Sequence, residues 1–92
     1  MRILTQDEFS HYVDTKFLDF NPAVIWLFNR RYTFYVKKGD NYYRILILYL
    51  KDNSQAMIYY NNQRHPSYIT SGSNLRYLLD NIYELLFCDA NT

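Results

Sequence analysis

Two histidines (His11, His65), one cysteine (Cys88) and the adjacent pair Asp7-Glu8 are the residues of this 92-residue chain whose types invite catalytic or metal chemistry. A nucleophile needs a base within hydrogen-bond reach and a third group to orient that base. His11 and His65 lie far apart, and neither belongs to a serine–carboxylate or cysteine pattern of known spacing. Zinc needs three or four ligands, usually with one close pair, and two separated histidines with one thiol do not supply it. Asp7 and Glu8 follow Thr5, where helix capping and the helix dipole account for both. Gly39 and Gly72 are isolated, so no phosphate-cradling loop is present. The residues predict a protein that is not an enzyme and that takes neither metal nor cofactor.

The chemistry that remains is recognition. Arg31 to Lys37 alternates, with Tyr32, Phe34 and Val36 on one side and Arg31, Thr33, Tyr35 and Lys37 on the other. Lys38-Gly39-Asp40-Asn41 supplies residues that tolerate positive φ, so a hairpin is expected there. The next strand, Tyr42 to Leu50, is apolar on both sides, with Ile45, Ile47 and Tyr49 opposed to Leu46, Leu48 and Leu50. Arg44 joins the basic, tyrosine-rich side. Tyrosine and arginine are favoured at the centres of protein interfaces, and leucines beside them supply an apolar core. The same tyrosines and cations suit unpaired bases and phosphates. The plainer reading is a wet sheet face, since tyrosine and threonine also favour strands and lysines guard exposed sheets.

These residues need elements to position them. Thr5-Gln6-Asp7-Glu8 is a capping-box pattern, and Phe9, Tyr12, Val13 and Phe17 follow at helical spacing, predicting a helix over about 6–18. Asn21-Pro22 bars its extension. The stretch 22–29 reads either as a short helix, from Asn21 as cap and Pro22 behind it, or as a strand, from Val24, Ile25, Trp26 and Phe28. The helical turn, delivering Trp26 to the core, is the favoured reading. Ala56 to Tyr60 makes a third strand after the turn 51–55. A polar loop over 61–73 follows; Arg64, His65 and Tyr68 are its candidates for a recognition tip, against the plainer reading of a proline turn with a solvated arginine. Ser73 then caps a second helix whose stripe is Leu75, Leu78, Leu79, Ile82, Leu85 and Leu86. Cys88 reads as a small residue in the last turn of that helix.

The expected fold is α+β: a three-stranded antiparallel meander flanked by an N-terminal and a C-terminal helix, with both helices on one side. Size and composition predict a single domain over 1–92, with no linker or low-complexity tail. One cysteine excludes an internal disulfide. No signal-peptide pattern opens the chain, and the run "ILILYL" is far short of the roughly 20 residues of a membrane helix. These features point to the cytoplasm. The net charge of +1 predicts no partner, but its distribution is uneven. Residues 21–69 hold seven basic and two acidic side chains, net +5, while each end is net −2.

The order αβββα resembles that of double-stranded-RNA-binding domains. That family depends on lysines at the start of the last helix and on a Pro-His loop after the first strand. Here the last helix begins "SGSNLRYLLDN" with one arginine, the first strand turn is "KKGDN", and His65-Pro66 follows the third strand. Binding of duplex RNA in that manner is therefore not expected. Nine asparagines, eleven tyrosines and seven isoleucines suit an AT-rich genome. In size and lack of motifs the chain resembles the small inhibitors and anti-defence (anti-CRISPR-like) proteins of phages and mobile elements, which would act in the host cytoplasm. The sequence thus predicts a binding module, an inhibitor or regulator that occupies a surface of a partner protein. Its expected contact residues are Arg31, Tyr35, Lys37, Arg44, Arg64, His65 and Tyr68. Nucleic acid binding is the alternative, and a homodimer through the open sheet face is also compatible with the pattern.

Overall fold

A computed structural model describes residues 5–26, 31–48 and 53–87. Helix α1 (Gln6–Lys16) opens on Thr5 with the expected reciprocal cap. The Glu8 N–H donates to Thr5 Oγ1 at 3.2 Å, and the Thr5 N–H donates to Glu8 Oε1 at 3.0 Å. A single 3₁₀ turn (Leu18–Phe20) follows and ends at Asn21, which takes a left-handed conformation with φ of 47°. Asparagine tolerates that region, and the chain is thereby turned into a strand rather than into a new helix.

Five strands form one antiparallel sheet in the order of the chain: β1 (Ala23–Trp26), β2 (Arg31–Lys38), β3 (Asn41–Leu48), β4 (Ser54–Tyr60) and β5 (Tyr68–Gly72). Helix α2 (Leu75–Phe87) closes the described chain. The expected meander is thus the middle of a wider sheet, and two corrections follow. The 22–29 stretch contributes a strand, because the β-branched Val24 and Ile25 pair with Phe34 and Thr33 across a hairpin. The side chain of Trp26, expected in the core, lies outside the described ones, as do Tyr49, Leu50 and Cys88. The 61–73 stretch is a turn over 61–67 and then a strand, since Tyr68-Ile69-Thr70 extends the sheet along β4. The β2–β3 hairpin matches expectation: Lys38 stands opposite Asn41, and Gly39 has a φ of 64°.

Register fixes what faces what. Tyr32, Phe34 and Val36 on β2, Ile45 and Ile47 on β3, and Ala56 and Ile58 on β4 are buried. They meet Phe9, Val13 and Phe17 of α1 and Leu75, Leu78, Leu79, Ile82 and Leu86 of α2. Aromatic rings join the layers: Phe9 stacks on Tyr32 at 4.6 Å, Phe17 lies 5.3 Å from Phe34, and Phe20 stacks on Phe87 at 3.6 Å. Both helices therefore lie on one side of the sheet. Two stripe positions depart from expectation. Tyr12 and Leu85 sit on the flanks of their stripes and remain 41% and 43% exposed. The cap of α2 is Asn74 rather than Ser73, its Oδ1 accepting from the Tyr77 N–H at 2.9 Å. Lys38, beyond the turn signal, ties sheet to helix: its Nζ donates to the Leu86 carbonyl at 2.9 Å, at the end of α2 where the helix dipole favours a cation.

Candidate binding surface

The face of the sheet opposite the helices is built in rows, because antiparallel partners present their side chains on the same side. The central row runs Ile25, Thr33, Leu46, Met57 and Ile69, one residue from each strand. Beside it lies a second row of Ala23, Tyr35, Arg44 and Tyr59. On the other flank are Arg31, Leu48, Gln55 and Ser71, and Lys37 pairs with Tyr42 near the hairpin. No described element lies over these rows.

The central row is aliphatic apart from Thr33. Its ends are open, with Ile25 45% and Ile69 69% exposed. Its middle is tighter: Leu46 and Met57 are half-buried, and Thr33 is 5% exposed. Among the described residues, the Thr33 Oγ1 has no hydrogen-bond partner. Tyr59 and Arg44 lock together across β3 and β4, with the guanidinium 4.1 Å from the ring centroid. Such a contact holds the long arginine against the surface and leaves its charge facing outward. Tyr35 and Tyr42 pack at 6.2 Å.

Of the expected contact residues, Arg31, Tyr35, Lys37 and Arg44 come together on this face. Arg64 and His65 stand exposed on the 61–67 turn, apart from the rows. That turn is pinned by the Ser67 N–H donating to the Ile58 carbonyl at 2.7 Å and by Asn61, whose N–H donates to the Tyr42 carbonyl at 2.8 Å. Tyr68 falls on the opposite face, beside Ile58 in the register. There it adjoins Tyr43 and Tyr60, whose rings lie 5.3 Å apart. Burial raises the Tyr43 hydroxyl above the ordinary tyrosine value, and the neighbouring Tyr68 and Tyr60 hydroxyls add to the shift. Ile25, Met57 and Ile69 are part of the surface that sequence reasoning missed. The signals were the β-branched pair Val24-Ile25 and the alternation in Tyr68-Ile69-Thr70.

A cleft of about 560 Å³ lies between the helices, walled by His11, Tyr12, Lys16, Arg76, Asp80 and Tyr83. Lys16 is engaged within it, 2.6 Å from Asp80 and over the Tyr83 ring at 5.0 Å. No group of three or more histidine, cysteine, aspartate or glutamate side chains that could hold a metal ion occurs among the described residues. Nor, among them, is any helix long and apolar enough to cross a membrane. Compared with protein-family models, curated proteins and solved structures, the chain gives no match.

Proposed function

We propose that the chain is a non-enzymatic binding module that acts by occupying a surface of a partner protein, as inhibitors and regulators of the phage or mobile-element type do. The observation that carries this reading is the row from Ile25 to Ile69 on a face with no helix over it among the described residues, rimmed by Arg31, Lys37 and Arg44. Aliphatic side chains in the middle with arginine and tyrosine around them follow the anatomy of protein interfaces. An uncovered apolar sheet face without a partner is an aggregation hazard, which favours an occupant.

The test is affinity capture from the cell that makes the protein, after nuclease treatment, with the wild type beside Arg44→Glu and Ile69→Ser. A specific protein should be retained by the wild type and lost from both variants, which thermal melts must show to be folded. Retention of the same protein by both variants removes the open face from the function.

A nucleic-acid reading rests on the same three cations and on the tyrosines. Against it, one face of the Tyr59 ring is already covered by Arg44, and the central row offers aliphatic groups rather than stacking platforms. Electrostatic binding to phosphates weakens steeply with salt. Anisotropy of a labelled single-stranded oligonucleotide at two salt concentrations separates the readings, and tight salt-sensitive binding would favour nucleic acid.

A further inference from the structure

Charge is divided by layer in this molecule. The five strands carry Arg31, Lys37, Lys38 and Arg44 and not one carboxylate. The helical layer carries six carboxylates (Asp7, Glu8, Asp14, Asp19, Asp80, Glu84) against two cations (Lys16, Arg76), net −4. Lys38 is turned to the helix side by its bond to Leu86, so among the described residues the open face keeps three cations, Arg31, Lys37 and Arg44.

We infer that the open face takes an acidic amphipathic α-helix of a partner protein, laid across the strands along the row from Ile25 to Ile69. This rests on the protein-binding reading above and names the partner's chemistry. Three cations around an aliphatic row, with no carboxylate on the strands, complement a ligand that is apolar along one stripe and anionic beside it. A second copy docked face to face would set Arg31, Lys37 and Arg44 against their own kind, which argues against the symmetric homodimer. A strand laid flat on the face would leave its backbone groups unpaired, whereas a helix satisfies its own. The spacing agrees: strands lie about 4.8 Å apart, and one helical turn rises about 5.4 Å. Each turn of such a helix can therefore set one apolar residue over one strand. The row crosses four inter-strand gaps, about 19 Å, or three to four helical turns. The chain's own α1 and α2 bury their apolar stripes against the other face of the same sheet.

The experiment uses synthetic peptides of about 15 residues. One carries a leucine stripe with glutamates elsewhere, a twin has lysine in place of every glutamate, and a third keeps the glutamates but replaces the leucines by serine. Each is titrated into the full chain, labelled for two-dimensional NMR, beside a single-stranded oligothymidylate. The acidic leucine peptide should shift the resonances of Ile25, Leu46, Met57 and Ile69 and bind at least tenfold more tightly than either other peptide. Arg44→Glu, and separately the exposed Lys37→Glu, should each shrink that preference several-fold in chains whose spectra remain folded. Equal affinity of the acidic and basic twins at the open face would overturn the inference and leave the protein-binding reading standing. Shifts confined to α1 and α2, or no binding of any peptide, would overturn both. Tighter binding of the oligonucleotide than of the acidic peptide at the open face would also overturn both.

Discussion

Thr33 sits at the centre of the open face with its hydroxyl buried and unpaired between Ile25 and Leu46. A buried polar group without a partner costs about 1–3 kcal/mol, while replacing it by an apolar group of the same shape recovers most of that. Thr33→Val should therefore raise stability by about 1 kcal/mol, read as a higher urea midpoint at unchanged slope. A drop in the midpoint would show that the hydroxyl is satisfied. The next two residues test the register. Phe34 is fully buried between Phe9 and Phe17, so Phe34→Ala should cost roughly 3–5 kcal/mol, comparable to the whole stability of a small fold. Tyr35 points the other way, and Tyr35→Ala should cost no more than about 1 kcal/mol, the range of a cross-strand pair. A one-residue slip would exchange the two outcomes in thermal melts. Tyr43 gives a pH signature. Its hydroxyl is raised in the folded chain, so its contribution to stability is whole below the ordinary tyrosine value near 10 and is lost as pH rises through the folded value. Tyr43→Phe should make the alkaline limb of the stability–pH curve shallower, and an unchanged limb would assign the loss to other groups.

At the level of elements, the start of α2 shows how neighbouring residues with equal propensity are separated by geometry. Ser73 and Asn74 are both good helix caps, and only Asn74 bonds the first turn. The Asn74→Ala change should cost about 1 kcal/mol, and Ser73→Ala almost nothing, in parallel denaturant titrations. Gly72 helps decide this: a Cβ there would stand 2.9 Å from the Leu78 backbone nitrogen, so the end of β5 and the first turn of α2 pack too closely for a side chain. Both long helices and the β2–β3 hairpin were legible in the sequence because each announces itself locally, by a capping box, a 3.6-residue stripe or a glycine turn. The two edge strands were not. Val24-Ile25 carries a strand preference, but Asn21-Pro22 also fits a helix start, and only pairing with Phe34 and Thr33 settles the competition. Tyr68-Ile69-Thr70 is short and embedded in polar residues, and its strand exists because β4 offers it an edge. Half of the open face was visible for the same reason: β2 and β3 could be read by alternation. The ends of its central row, Ile25 and Ile69, belong to strands that tertiary pairing creates.

Across the whole molecule, one sheet separates an acidic helical layer from a basic open face, and each strand pairs with its neighbours in sequence. Such a meander has no long crossover, so stability should grade from the middle outward rather than divide into separate units. The middle is β3, flanked by strands on both sides and buried through Ile45 and Ile47. The edges are short, four residues in β1 and five in β5, which limits pairing with other chains. They differ in support: β5 packs against the start of α2 through Gly72, whereas β1 ends at Trp26 with Ala23 and Ile25 exposed. Local opening takes the elements with the fewest buried apolar contacts first. Native-state hydrogen exchange should then show the slowest amides at Ile45, Ile47 and Ile58, intermediate protection along β5, and the fastest ladder exchange in β1. An acidic helix bound across the open face contacts all five strands at once, so adding the acidic leucine peptide should slow β1 and β5 more than β3. Equal protection of β1 and β3 without peptide would mean that the first strand is part of the central folding unit. Uniform slowing on binding would place the ligand away from the row that joins the two edges.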